Sequence, residues 1–371
     1  MKRYPKMRGQ PVAVCGSLDG RGVVCSASYE ARAYGIKSAL PVWQCKKLCP
    51  SVKLVEVPSE ISEYSDAVRR RLNELCPVVE TASIDEFFLD FTGCEKIYPL
   101  NMDLADKIIK SLSDNPGLPC SVGIGPNKLI AKIASDVAKP SGVIYVFPGS
   151  EASFLASLPV KSIPGVGPCF TQKLSDMGIF LVKDVLQLPL HVWRSVFGKR
   201  GENLYEQALG LCWSNVLDDS LAAQQKQVSR ETTLAEDTTS IEILRTSLSK
   251  LVEDAVYDLR RKKLVSGSVC VKIRYSDFSS VSKSISISRT DREDRIFPVA
   301  LKLFESLYKK RMKIRLVGVK LAEISSDGAV YTLNDFLESY SSEKVADAVD
   351  RIRQKYGRNS VSRCRSIMKK S

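Results

Sequence analysis

"SVGIGPNKLIAKIASDVAKPSG", residues 121–142, passes from one kind of backbone to another within a single run. With the preceding Pro119 and Cys120, its apolar start reads as a short strand. "PNKLIAKIASDVAKP" then reads as a helix with a proline at or near its first position, where the missing N–H costs nothing. Pro140 stops that helix and leaves Lys139 at its end. A lysine there can serve a phosphate as a point charge, and an ordinary surface lysine reads the same way.

Upstream, "TASIDEFFLD" (81–90) sets Asp85 and Glu86 side by side in an apolar, strand-like run. Neighbours in a regular strand point to opposite faces, so both acids can serve one site only if the chain turns at "SIDE". A turn between "VVETA" and "FFLDF" gives a hairpin tipped with carboxylates, suited to hard Mg²⁺ ions that also take substrate phosphates. A solvated turn accounts equally well for two acids. "SASYEARAYGIKSALP" (26–41) puts Tyr29 and Arg32 three apart near a helix start, where hydroxyl and guanidinium groups suit a phosphate chain. "IPGVG" (163–167) is a glycine turn between helices that offers backbone N–H groups.

The rest of the chain frames these segments. "EISEYSDAVRRRLNEL" (60–75) has helical periodicity with Arg69, Arg70 and Arg71 on its solvated side, and "NMDLADKIIKSLSDN" is a helix ending near Pro116. Short helices follow residue 147, and a polar stretch at 217–227 reads as a linker. Beyond it comes strand 228–234, helix 240–262, strands 268–276 and 281–288, helix 296–310 and strand 315–323. That β-α-β-β-α-β order describes a small α+β domain with helices on one sheet face. "SEKVADAVDRIRQKYG" near the end reads as one more helix.

Composition narrows the function. A length of 371 residues implies two to four domains, and no stretch is long and apolar enough to span a membrane. The basic N-terminus lacks the apolar core of a signal peptide, so the cytoplasm is expected. The 11 cysteines contain no CxxC pair and His191 is the single histidine, which argues against structural zinc and for reduced, buried thiols. A net charge of +13 suits a polyanion, and the lack of a Trp- and Phe-rich interfacial helix favours nucleic acid over a membrane surface.

Taken in order, "RGQPVAV", "SYEARAYGIKSALP", "ASIDE", "SVGIGPNKLIAKIASDVAKPSG" and "IPGVG" resemble the Y-family DNA polymerases, and within them the DNA polymerase IV branch, from about residue 8 to about 325. The resemblance implies a multidomain α+β right-hand fold. Fingers would occupy 1–57, palm 58–146, a helix-hairpin-helix thumb 147–216, a linker 217–224, the little finger 225–325 and a tail 326–371. It implies translesion primer extension with two Mg²⁺ ions, primer-template DNA and deoxynucleoside triphosphates as partners, and a monomer. Asp85 and Glu86 would hold the metals, and Ser26, Tyr29, Arg32 and Lys139 the triphosphate. Gly165, Gly167, Arg230, Lys272, Arg274 and Lys283 would meet DNA phosphates rather than base edges. "TLNDF" (332–336) keeps Leu333 and Phe336 of a sliding-clamp peptide but has Thr332 and Asp335 where a glutamine and an apolar residue are usual, so a plain polar linker is the rival reading.

Relatives open with a strand carrying D-x-D-x-F-[FY], whose first acid is a third metal ligand. Met1 falls after that point, with "YPKMRGQPVAV" already matching the approach to the second strand. A mis-assigned start, a gene fragment and a non-catalytic paralogue are the three readings. A DNA-binding protein without polymerase chemistry therefore stands as the alternative function. A ribonucleotide-handling nucleotidyltransferase stands behind it, because the residue that excludes ribose lies in the same stretch.

Overall fold

The computed structural model describes all residues except 1–3, 19–20, 95, 98–100, 219–225, 309–311, 327–332 and 367–371; of 101 and 333–344 it describes the backbone alone. Two compact units emerge, one from residues 1–14, 28–30 and 55–222, the other from 15–27, 31–54 and 223–371. The chain alternates between them early, through β1 (Val12–Cys15), β2 (Val24–Ala27), α1 (Tyr29–Ala33), α2 (Val42–Leu48) and β3 (Lys53–Glu56). Among the described residues no helix is long and apolar enough to cross a membrane.

The first unit continues with α3 (Ile61–Asn73), β4 (Val78–Thr81), β5 (Phe87–Asp90), α4 (Asn101–Asp114), β6 (Val122–Ile124), α5 (Lys128–Val137) and β7 (Val143–Tyr145). β4 and β5 form the expected hairpin, in register from Val78 opposite Asp90 to Thr81 opposite Phe87. Leu72 of α3 and Leu104, Ile108 and Leu112 of α4 pack in one core with Val79 of β4, so the hairpin rests on two helices. β6 and β7 pair in parallel, with α5 as the crossover that parallel strands require. Gly123 makes this packing possible. A Cβ there would lie 2.1 Å from the Ala131 carbonyl oxygen and 2.3 Å from the Ser135 nitrogen, so strand and helix backbones touch where no side chain fits. The helix starts at Lys128, two residues after Pro126, with Asn127 as its N-cap; the Asn127 side-chain oxygen accepts the Ile130 N–H at 3.1 Å.

Ile130, Ile133 and Ala134 of α5 share a core with α6 (Glu151–Ala156), α7 (Pro168–Asp176), α8 (Val182–Val185), α9 (Leu190–Phe197) and α10 (Lys199–Ala208). Burying each large aliphatic side chain contributes about 1.5–3 kcal/mol. Trp193, in the same core, satisfies its indole N–H on the Val185 carbonyl at 2.9 Å.

The second unit holds β8 (Gln227–Thr238), α11 (Ile241–Arg261), β9 (Val265–Tyr275), β10 (Ser280–Thr290), α12 (Glu293–Leu307) and β11 (Ile314–Ser325), in the expected order. The strands make one antiparallel sheet, β10-β9-β11-β8. Val269, Val271, Ile273, Val317 and Val319 meet Leu248 and Val252 of α11 and Phe304 of α12 on its covered face. A final helix, α13 (Leu333–Tyr356), is longer than the sequence reading placed it. The tail beyond Tyr356 returns to the α11 and α12 surface through Arg358–Asp258, Arg363–Glu293 and Arg365–Glu293 pairs. From α13, Arg353 pairs with Glu253 of α11, and Arg260 of α11 grips Asp350 of α13 at 2.7 and 2.9 Å.

Two sequence expectations change here. Cys25, Cys169 and Cys364 are exposed, so the thiols are not uniformly buried. Arg71 does not simply face water, because its Nε donates to Ser111 of α4 at 2.6 Å and its guanidinium pairs with Glu74.

Candidate active site at the hairpin turn

Asp85 and Glu86 sit in the turn 82–86, not in either strand. The Ala82 and Ser83 N–H groups donate to the Glu86 carbonyl at 3.0 and 3.2 Å and close it. The turn lifts the alternation that would have parted the two acids. Asp85 is exposed and accepts from the Ser83 hydroxyl at 2.7 Å. Glu86 pairs with Lys132 of α5.

A second lysine makes the same crossing one turn earlier on the helix. Lys128 donates to both Glu80 oxygens at 2.6 and 2.7 Å, and its ammonium lies 4.9 Å from the Phe88 ring centre. Spaced four apart, Lys128 and Lys132 occupy one stripe of α5 and hold it to the hairpin. The stripe continues: Lys132 also lies 3.4 Å from Asp136, and Asp136 accepts from Lys139 at 2.5 Å. Burial works against the Lys132 ammonium, but Glu86 and Asp136 outweigh it and hold its pKa above the usual lysine value. Burial likewise opposes the Asp136 charge, yet Lys139 and Lys132 keep that carboxyl below its usual range.

The remaining candidates are placed one by one. Tyr29 is the first residue of α1 and is exposed; Ser26 is exposed on β2; the Arg32 Nε donates to the Ala27 carbonyl at 3.0 Å. Ser26 and Arg32 belong to the second unit, whereas Tyr29, Asp85, Glu86 and Lys139 belong to the first. Gly165 has φ +91°, which favours glycine, and its carbonyl accepts from Arg200 at 3.2 Å. Gly167 caps α7.

Register sorts the four strand cations between two sheet faces, since directly opposed residues share a face. Lys272 opposes Gly318 and Arg274 opposes Leu316, on the face away from the helices. Arg230 opposes Val319, a core residue, and its guanidinium pairs with Asp258 of α11. Arg230 thus faces the helices and is engaged by Asp258, away from the open sheet face. Lys283 opposes the core residue Val271 on the edge strand, so it too leaves the open face. Lys272 is shared with Glu231 at 2.9 Å, and Arg274 donates to Ser280 at 3.0 Å.

Sequence reasoning missed the Lys128, Lys132 and Asp136 stripe, whose i, i+4 spacing was the available signal. It also missed Ser280, Ser282 and Ser284, which oppose Arg274, Lys272 and Cys270 and so line the open face. Their every-other-residue spacing in "SSVSKSIS" marked a single polar face.

Comparison with known proteins gives the family. Residues 1–136 match the impB/mucB/samB family, 225–333 match the C-terminal domain of that family, and 161–211 match the DNA polymerase-iota thumb domain. DNA polymerase IV of Desulfatibacillum aliphaticivorans is 33% identical over 362 residues, covering 96% of this chain and 90% of the relative. That of Alkaliphilus oremlandii is 31% identical over 381 residues, covering 100% and 96%. Among solved structures, the Y-family DNA polymerase chimera Dbh-Dpo4(243-245)-Dbh superposes with a TM-score of 0.77 at 27% identity, covering 87% of this chain and 94% of the chimera. DinB from Sulfolobus solfataricus gives 0.59 at 27% identity, covering 86% and 94%. The chain belongs to the Y-family DNA polymerases, in the impB/mucB/samB family and its DNA polymerase IV branch. Its fold is the right-hand polymerase fold.

Proposed function

We propose that this protein is a translesion DNA-directed DNA polymerase, adding deoxynucleotides to a primer across damaged template. The hairpin turn carries the proposal, because it presents two adjacent carboxylates from a rigid support. Asp85 and Glu86 fit divalent Mg²⁺ in chemistry: both are hard oxygen donors, and both are reachable by solvent. Bound ions would supply positive charge at the primer hydroxyl and at the departing pyrophosphate. Ser26, Tyr29, Arg32 and Lys139 are the groups assigned to the triphosphate. Lys272 and Arg274, with the serines beside them, are assigned to DNA phosphates, and Gly165 and Gly167 are likewise assigned to DNA through their backbone. The cytoplasm, where DNA and deoxynucleotides are found together, is the expected compartment. Of the clamp segment, Thr332 lies outside the described residues, and residues 333–336 belong to α13 with described backbone only.

A second reading rests on a specific observation. The strands β4 and β5 form one pair and β6 and β7 another, with no strand joining them among the described residues. No cluster of three His, Cys, Asp or Glu side chains is found there either. A strand bearing D-x-D-x-F-[FY] would supply both the join and the third acid. On this second reading the protein is a DNA-binding relative of the polymerases in which the two hairpin acids do little chemistry by themselves.

Primer extension separates the two. The polymerase reading expects this chain to extend primer-template DNA with Mg²⁺ and Asp85→Ala to abolish that extension. The second reading expects the chain to bind the same DNA and extend it barely or not at all. Robust extension that Asp85→Ala abolishes would overturn the second reading. Binding without extension would overturn the polymerase assignment.

A further inference from the structure

Four alternating charges lead away from the hairpin turn along α5: Glu86, Lys132, Asp136 and Lys139. Lys132 is held by Glu86 and lies 3.4 Å from Asp136 Oδ2. Asp136 is engaged more closely by Lys139, whose Nζ is 2.5 Å from its Oδ1. Helical spacing sets this order, since residues four and three apart stand one above the other.

We propose that Lys132 is a positioning residue, which couples cation binding at Glu86 to triphosphate binding at Lys139 by exchanging partners at Asp136. The inference rests on the roles given above to Glu86 and Lys139 and adds a link between them. In the arrangement described, Lys132 neutralises Glu86 and Lys139 neutralises Asp136. When Glu86 is engaged by a divalent cation, the Lys132 ammonium is repelled by it and loses its carboxylate. Asp136 Oδ2 is already 3.4 Å away, so the ammonium can close on it with little movement. Asp136, then neutralised by Lys132, holds Lys139 less firmly and leaves its ammonium for the phosphates.

Solvent exposure makes the exchange feasible. The side chains of Lys132, Glu86, Asp136 and Lys139 are 25%, 41%, 47% and 51% exposed, so water stabilises each group while partners change. Exposed pairs are individually weak, and weak pairs can be traded. Lys132 is the most covered of the four, which limits the partners its ammonium can reach. The nucleotide-binding lysine is thereby withheld until the metal-binding carboxylate is filled.

The test must keep the metal carried by the nucleotide apart from the cation at Glu86. Exchange-inert Cr(III)·dATP does this, because its own metal neither leaves nor equilibrates. With the full chain on primer-template DNA, added Mg²⁺ should tighten Cr(III)·dATP binding about fivefold. Electron paramagnetic resonance should show Cr(III)·dATP tightening Mn²⁺ binding by the same factor, since coupling is reciprocal. Lys132→Met and Asp136→Asn should each bring the factor close to one with the thermal midpoint unchanged, and Lys132→Arg should restore part of it. Two controls address the underlying assignments: Glu86→Gln should weaken Mn²⁺ binding and Lys139→Ala should weaken nucleotide binding. If either control binds like the parent, the site assignment itself falls. If both controls behave and the parent shows no coupling, or Lys132→Met and Asp136→Asn keep it whole, the exchange alone is refuted.

Discussion

Arg353 and Glu253 have side chains 5% and 1% exposed, whereas Lys132 and Glu86 stand at 25% and 41%. The first pair belongs to a region built as a closed structure, with four strands in one continuous sheet and a tail tied across its helices. The second stands beside two separate strand pairs and an open turn. Burial makes an ion pair hard to exchange, because either partner left alone is a charge without water. Exposure makes it cheap to break and therefore available for use. The same residue types thus fasten one region and adjust the other.

Breaking the buried pair should give the largest effect. Arg353→Met leaves Glu253 uncompensated in the interior and should cost about 3–5 kcal/mol, read by urea unfolding, against less than about 1 kcal/mol for Lys132→Met. Equal losses would erase the contrast. DNA binding sharpens it next: Arg274→Ala, on the open sheet face, should lower the slope of log affinity against log salt by about 0.9. Arg230→Ala should leave that slope unchanged and destabilise the second unit instead, because Arg230 is engaged by Asp258. A smaller change is expected at the helix that bears the exposed pairs. Asn127→Ala removes the cap on Ile130 and should cost about 1 kcal/mol.

The smallest effect concerns pH. The N–H groups of Leu181 and Phe180 donate to Asp184 at 2.8 and 3.0 Å and hold its carboxyl below the usual range. A depressed carboxyl contributes stability above its unfolded pKa and loses it as pH falls through the folded value. Asp184→Asn should therefore lower stability modestly at pH 7 and flatten the acid limb of an unfolding series, the difference from the parent vanishing well below about pH 4.

Short-range features were the ones the sequence disclosed. The hairpin could be read because the acids sit between two β-rich runs, and the second unit because its periodicities alternate cleanly. Helix α5 could be read, but not its cap: proline and asparagine stand side by side and each can begin a helix. The face of Arg230 depended on the pairing of β8 with β11, a register fixed by residues about 90 positions apart. Lys132 and Glu86 are separated by 46 positions, and Arg353 and Glu253 by 100, so no local pattern announces either pair. Tyr29, Arg32 and Lys139 stood out locally as phosphate-suited residue types at helix ends, but only the family resemblance joined them with Ser26 into one proposed triphosphate group, since each alone is an ordinary surface residue.

The tied tail has a consequence for digestion. Trypsin cleaves after arginine and needs that side chain in its own acidic pocket, with the surrounding backbone extended. Arg353, Arg358, Arg363 and Arg365 are all held by carboxylates of α11 and α12. Each of these arginines must first leave its carboxylate, so cleavage there is slowed while the tail stays down. The rate of nicking at Arg358 then measures how often it lifts. A rise in ionic strength should speed that nicking while the helices beneath stay whole.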